Sequence, residues 1–409
     1  MSKKTGFSYG KILAIGSGFL ALTLVWTVYN TYMPLLLGDF IESRAIRGGI
    51  MGLDNLMAVI LIPVIGAWSD RLKTPLGGRL PFIIVGMPLA AIFFILLPFM
   101  SKTNLILLLI VDIIFLLAMT IYRAPVIALM PDHTPVKKRS TANGAINFMG
   151  GIGALLALFA LAPLYDVNLT YPFIIGGIIL IIAFIVLYLI VDRNPPYVGR
   201  SEEENEEVKA LQALKNDIGK LFHTKYRGHL FILIAIFLYF IGYSGLEAQF
   251  SVYATEHLGA TGGEAGFTLG FFSLSFVLFA IPAGLVGSKL GKDKTMLIGL
   301  ILLPLIFIVM PFFSSLTTLK VLLLVGGVAW ALINVQAYPL VADLGGRTRI
   351  GFFTGMYYLF SMASSIVAPG LLGLSMDLLG HPSLFFSAAS SFLIAFLFLR
   401  MGMKKLGKV

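Results

Sequence analysis

Two charges inside one apolar run are the residues best placed to do chemistry. Asn104–Asp132 reads NLILLLIVDIIFLLAMTIYRAPVIALMPD, interrupted by Asp112 and Arg123. About 20 predominantly apolar residues cross a bilayer as a helix, so this run crosses one. At about 3.6 residues per turn, the interval from Asp112 to Arg123 is close to three turns. Both therefore point the same way, roughly 16 Å apart along the axis, too far to pair directly. Intramembrane ionisable residues mark ion or substrate paths. A carboxylate that meets a dry interior in one state and water in another can take up and release a proton. Proton coupling is the chemistry expected at Asp112, with Arg123 favouring the ionised form and so promoting release.

Such residues need a membrane scaffold, and the composition supplies one. The chain has 409 residues, 58% apolar and 12% charged, with mean hydropathy +0.93. Soluble domains do not have that balance, so the fold class is all-α integral membrane. Twelve transmembrane helices are expected, at about 11–37, 46–69, 80–100, 104–131, 140–164, 171–192, 229–255, 264–289, 294–313, 319–343, 350–375 and 382–403. With the N-terminus inside, 25 of the 30 basic residues lie in or beside inner segments. Outer connections hold only Arg44, Arg47, Lys102 and Lys320. That bias places both termini in the cytoplasm, in a multi-pass plasma (inner) membrane protein. It also explains the net charge of +10 without nucleic acid, which is not an expected partner. The absence of cysteine removes disulfides, thiolate catalysis and cysteine-ligated metals. Met1–Tyr9 is short and polar, so the first span is expected to stay as an anchor.

The spans divide six and six. An N-terminal half (1–193) is joined to a C-terminal half (229–409) by a cytoplasmic linker (194–228). The linker carries an acidic run, Glu202–Glu207, then Val208, Leu211, Leu214, Ile218 and Leu221 at amphipathic-helix spacing. A weak repeat relates the halves. LIPVIGAWSDRL (61–72) has an echo in AIPAGLVGSKLG (280–291), and RAPVIALMPD (123–132) in AYPLVADLG (337–345), each on a shared proline. Six plus six spans in parallel halves resemble the major facilitator architecture.

Polar and aromatic residues inside other spans are candidates for a substrate path. Trp26 and Asn30 are four apart on span 1, as are Trp330 and Asn334 on span 10, with Gln336 nearby. Asp54 and Asn55 on span 2, Glu247 and Gln249 on span 7, and Tyr357 and Tyr358 on span 11 complete the set. Rings that cover C–H faces and amides or carboxylates that meet hydroxyls are what a sugar needs. Asn143 and Asn147, four apart on span 5, are expected partners for Arg123. Glycines 144, 150, 151 and 153 read as span-packing residues. His133, His223, His229, His257 and His381 fall at or beyond span ends, so no metal site is expected. No phosphate-binding loop is present, so ATP is not expected to drive the process directly.

The loop GAWSDRLKTPLGGRLPF (66–82) resembles the major facilitator signature between spans 2 and 3. That signature implies a gating latch here from Gly66, Asp70, Arg71 and Arg79, with Gly66 letting spans approach. Four stretches carry a narrower resemblance: 51–71, 123–154, 326–344 and 355–373. Together they resemble the sucrose–proton symporter group, with its plant, animal and bacterial members, akin to the glycoside–pentoside–hexuronide symporters. That group's span 4 carries an Asp followed eleven residues later by Arg-Ala, matched here by Asp112 and Arg123-Ala124. The resemblance implies that Asp112 binds the coupling proton. Pro125 and the sparse GGRL at 77–80 depart from the pattern.

The expected function is secondary active transport: proton-coupled symport of a neutral di- or oligosaccharide glycoside into the cytoplasm. The alternatives are a drug–proton antiporter of the same fold and a sodium-coupled glycoside symporter. An enzyme is not expected, since no paired aspartate clusters for metal-bound diphosphate occur. No cofactor beyond the coupling proton is expected, and the partners are a small sugar and the lipid bilayer around a monomer.

Overall fold

The computed structural model describes residues 8–135, 138–197, 226–344 and 350–407. They form helices and connections, and among the described residues there is no strand. Among the described residues twelve helical segments are long and apolar enough to cross a membrane. The fold class expected from the sequence is the one observed.

Span 1 is α1 (Tyr9–Gly38). Span 2 is broken: α2 (Arg44–Met51) and α3 (Leu53–Arg71) meet at Gly52. The Ser43 hydroxyl caps α2 by accepting from the Ile46 N–H. Arg44 and Arg47, expected in an outer connection, therefore lie in a helix. The cap starts the helix before the apolar run begins, which hydropathy does not register. Spans 3 and 4 are α4 (Leu80–Met100) and α5 (Leu105–Asp132). The Asn104 side chain starts α5 by accepting from Leu107 N–H at 2.9 Å. Span 5 joins α6 (Arg139–Leu155) and α7 (Ala162–Val167) through a π-helical turn, Leu156–Leu161. Pro163 has no N–H to return to the Phe159 carbonyl, and the backbone just before it is wound more widely. Span 6 is α8 (Tyr171–Ile190).

The remaining spans are α9 (Arg227–Leu258), α10 (Gly262–Leu290), α11 (Lys292–Val309), α12 (Leu316–Leu344), α13 (Ile350–Leu379) and α14 (Ser383–Lys405). A Thr261–Glu264 capping box opens α10: Thr261 N–H donates to Glu264 Oε2, and Glu264 N–H to Thr261 Oγ1. Gly291, at φ 96°, turns the chain between α10 and α11 in a region side chains avoid. The acidic run and amphipathic pattern of the linker lie outside the described residues.

By contact the chain falls into two units. One comprises Met1–Glu42, Leu53–Gly199 and Ala254–Gly270; the other Ser43–Gly52, Arg200–Tyr253 and Phe271–Val409. In the first unit α4 and α5 pack so closely that a Cβ on Gly86 would meet Tyr122 Cβ at 2.8 Å and the Ala118 carbonyl at 3.1 Å. In the second, Gly299 of α11 lies in the same way against Ile333 and the Ala329 carbonyl of α12. Of the span 5 glycines, Gly153 packs on the Leu20 carbonyl and Gly150 on Thr23, whereas Gly144 faces open space.

Candidate functional site

In the first unit, α1 and α5 bring an acid and a phenol together. Tyr29 donates its hydroxyl to Asp112 Oδ1 at 2.9 Å, with both side chains fully buried. Asp112 Oδ2 is buried without a hydrogen-bond partner. Tyr29 can satisfy only the first oxygen, so Oδ2 is the atom with room for a proton. One turn earlier on α1, the Trp26 indole N–H is likewise buried and unpartnered. The Arg123 guanidinium lies 5.8 Å from the centre of the Trp26 ring. Asp112 and Arg123 thus both face α1, one through Tyr29 and the other through Trp26. Tyr29 was missed from the sequence, although it stands three residues after Trp26 on the same helical face.

Asp54 of α3 and Arg123 act on each other electrostatically, and Asp54 is also within range of Asp112. Asn55 turns its amide to its own neighbour, donating to Asp54 Oδ1 at 2.6 Å. Asn30 is half-buried. The expected partnership of Arg123 with Asn143 and Asn147 is not formed. Both asparagines are exposed, and the Asn147 amide donates to the Asn143 carbonyl one turn back.

In the second unit, aromatic packing takes over. Trp330 of α12 stacks on Tyr243 of α9 with centroids 4.2 Å apart and planes 5° apart. Tyr239 and Phe240 close on the same indole edge-on. Trp330 is 2% exposed, so its ring is packed rather than open to a ligand. Tyr243 sits one turn before Glu247 and shares a hydrogen bond with it. Two expected hydroxyl-binding amides are engaged with backbone. Gln249 donates to the Pro369 carbonyl at 2.9 Å and the Arg44 carbonyl at 3.2 Å. Gln336 donates to the Ala283 carbonyl at 2.8 Å. Asn334 is half-buried, Tyr357 buried, and Tyr358 half exposed beside Tyr338.

The 66–82 loop does form an acid–base cluster, centred on Arg79. Its Nε donates to Asp132 Oδ2 at 3.0 Å, Nη1 to the Ser69 hydroxyl at 2.5 Å, and Nη2 pairs with Asp70. Arg71 is exposed. Gly66 does not bring helices together: a Cβ there would meet nothing within 4 Å. The close approach comes at Gly77 (φ 83°), against the Arg193 carbonyl, and at Gly78, against the Ser69 carbonyl. Beside this cluster Lys11 donates to Asp192 Oδ2 at 2.5 Å, and the Asp192 N–H donates to His133 Nε2 at 3.2 Å. Burial holds His133 below the usual imidazole range. Among the described residues no cluster of three or more metal-ligating side chains occurs.

One family model matches most of the chain, at residues 15–256 and 232–406. The chain belongs to the Major Facilitator Superfamily. Its family and fold are those of membrane transporters, not of enzymes. Among curated relatives of this superfamily, it is 22% identical to Multidrug resistance protein 2 of Bacillus subtilis (strain 168), over 90% of this chain and 88% of the relative. It is 27% identical to the class H tetracycline resistance protein of Pasteurella multocida, over 66% and 64%. Among solved structures, the nucleoside transporter NupG superposes with TM-score 0.77 at 14% identity, covering 96% of this chain and 99% of that one. A bacterial homolog of the human lysosomal transporter Spinster, inward-facing, superposes at 0.72 and 17% identity, covering 99% and 97%. These structures establish the fold alone.

Proposed function

We propose that this facilitator is a proton-driven antiporter that exports amphipathic aromatic compounds. The observation that carries the substrate class is the second unit's polar inventory. Gln249 and Gln336 are engaged with backbone carbonyls, leaving the exposed rings of Tyr338 and Tyr358 and the Glu247 carboxylate beside Tyr243. Rings and one carboxylate suit a flat organic cation, through stacking and charge. The multidrug and tetracycline resistance relatives support export. Coupling is assigned to Asp112, whose Oδ2 holds the proton, with Arg123 opposing Asp54 nearby. A potential of 100 mV supplies about 2.3 kcal/mol per charge moved, enough to drive substantial gradients. We place both termini in the cytoplasm and the spans in the inner membrane, as two halves (1–193 and 229–409) of a monomer.

Sugar–proton symport is the second reading. It is favoured by the Asp112…Arg123-Ala124 spacing and by two half-buried asparagines, Asn30 and Asn334. One experiment separates the two. Proteoliposomes carrying an imposed pH gradient are given ethidium and labelled sucrose in parallel. Antiport predicts ethidium accumulation in vesicles acidic inside, with sucrose unmoved. Sucrose accumulation from an acidic exterior, with ethidium unmoved, replaces the first reading by the second.

A further inference from the structure

Asp112 has a single polar tie among the described residues, and it runs to α1 within the first unit. The Tyr29 hydroxyl donates to Oδ1 at 2.9 Å, while Oδ2 is buried without a partner. Both side chains are fully buried, so bulk water does not compete for the bond. The phenol is also held in place by its ring. Its centroid lies 5.2 Å from Phe115 and 5.6 Å from Trp26, and Phe94 of α4 lies 5.4 Å from Phe115. Packing among α1, α4 and α5 therefore keeps the hydroxyl on Oδ1.

The other titratable groups on the helices packed against α5 are engaged or remote. From Leu80 to Met100, α4 carries none. On α3, Asp54 and Arg123 act on each other, and Asp54 places a like charge within range of Asp112. Asp70 pairs with Arg79 at the far end of α3, and Arg71 is exposed there. On α5 itself Arg123 is about three turns away. Asp132 binds Arg79, and the Tyr122 hydroxyl donates to the Met119 sulfur at 3.0 Å. On α1, Lys11 donates to Asp192, Tyr9 lies under Lys138, and Tyr32 stacks on Tyr165. The titratable residue of α6, Arg139, donates to the Thr134 and Pro131 carbonyls. No cation stands beside Asp112, and one phenol touches it.

A hydroxyl that donates to a carboxyl group stabilises the ionised form more than the neutral one, because hydrogen bonds to charged acceptors are roughly twice as strong. It also distinguishes the two oxygens. With the acid's hydrogen on Oδ2, Oδ1 can accept from Tyr29 in both protonation states and is the carbonyl oxygen of the neutral acid. We propose that Tyr29 is the positioning residue of the coupling carboxyl: its hydroxyl directs the proton to Asp112 Oδ2 and loosens the acid's hold on it. The inference rests on the assignment of coupling to Asp112 and not on which compound is carried. A buried carboxyl without a cation holds its proton firmly, so release needs a group that favours the ionised form. Tyr29 supplies that preference without adding a charge.

The test is infrared difference spectroscopy of the full chain in lipid nanodiscs, stepped through pH, which needs no substrate. The C=O stretch of protonated Asp112 is the titrating band that Asp112→Asn removes. Tyr29→Phe keeps the ring in its cage and deletes only the hydroxyl. Its band is expected at higher wavenumber, because the carbonyl oxygen has lost a donor. Its titration midpoint is expected to rise by about one pH unit, the difference between hydrogen bonds to charged and neutral acceptors. Fluorotyrosine introduced in place of Tyr29 is a more acidic phenol and a stronger donor, and should move both readings the opposite way. Disturbed packing does not reverse its effect with donor strength. An unmoved band and midpoint in Tyr29→Phe, or shifts of one sign in both proteins, overturn the proposal. If Tyr29→Phe does not fold, the fluorotyrosine protein decides alone, and unchanged readings in it overturn the proposal. If Asp112→Asn removes no titrating band, the coupling assignment itself falls, and the proposal with it.

Discussion

The pair α4/α5 in the first unit and the pair α11/α12 in the second are built to one plan and equipped differently. Gly86 lies against Tyr122 and the Ala118 carbonyl; Gly299 lies against Ile333 and the Ala329 carbonyl. Arg79 begins α4 and reaches Asp132; Lys292 begins α11 and reaches Asp343 at 2.5 Å. The register that carries Ala118 to Ala329 and Asp132 to Asp343 also carries Asp112 to Leu323, Arg123 to Asn334 and His133 to Leu344. Asp112 and Leu323 are equally buried, with no exposed surface in either. Packing and the ion pair at the loop ends are duplicated, and the charges inside the spans are not. Where a scaffold repeats itself, the positions that break the repeat are those its architecture does not require.

The largest effect should therefore come at the least symmetrical position. Asp112→Asn keeps an acceptor for Tyr29 but cannot carry a proton at Oδ2. In proteoliposomes, gradient-driven ethidium accumulation should disappear, and ethidium exchange at equal pH should fall with it, because the neutral side chain mimics the protonated state that an antiporter adopts without its substrate. The matching change in the second unit, Leu323→Met, conserves volume and should cost less than about 1.5 kcal/mol with coupling intact. Retained accumulation in Asp112→Asn would move the coupling site, with Asp54 and Glu247 next in line.

A second contrast separates the two loop ends by burial. Arg79 is 14% exposed and holds three acceptors, so Arg79→Ala leaves Asp132 buried without its cation. Breaking such a pair costs about 3 kcal/mol. Lys292 and Asp343 are 36% and 56% exposed, and Lys292→Ala should cost less than about 1 kcal/mol. Thermal unfolding in detergent measures both; equal losses would mean that burial does not set the difference. The repeat itself predicts a third pair. Gly86→Ala and Gly299→Ala each force a methyl into a carbonyl-lined contact and should destabilise similarly, by about 1–3 kcal/mol. A neutral result at one of them would show that the two pairs are not packed alike.

What the sequence showed and hid follows the same division. Long apolar runs announced the twelve spans, since hydropathy is read directly from composition. Asp112 and Arg123 stood out because charge inside such runs is rare. The break at Gly52 was hidden because a capped helix start and an apolar run overlap. The proline echo between spans 4 and 10 misjudged the repeat by three residues: in the packing register Pro125 matches Gln336, and Pro339 matches Ala128. Glycines facing carbonyls carry the true register, and their partners are remote in sequence. Gln249 and Gln336 looked like ligand donors for a related reason. A buried amide and a ligand-binding amide are identical in sequence, and only the facing carbonyl separates them.

The smallest predicted effect is the most specific to one unit. His133 follows the last residue of α5, where the second unit has Leu344. The Leu129 carbonyl can only accept, so His133 Nδ1 carries the hydrogen in their 2.8 Å contact. The Asp192 N–H can only donate, so Nε2 is the acceptor and the ring is neutral. Burial lowers its proton affinity; the Leu129 carbonyl, Asp192 and Asp132 oppose that shift, and Lys11 adds to it. Protonation at Nε2 would set a hydrogen against the Asp192 N–H and break the tie between the ends of α5 and α8. Because the native value lies below the unfolded one of about 6.5, the unfolded chain binds the proton first. The contribution of His133 is then complete above about pH 6.5 and is lost as the pH falls towards its native value. Hydrogen exchange at 129–135 and 191–193 should rise on acidification from pH 7.5 to 5.5, with 341–344 unmoved. His133→Gln has nothing to titrate and should flatten the rise. If the variant shows the same acid-dependent exchange as the parent chain, the tie at Asp192 is not governed by this imidazole.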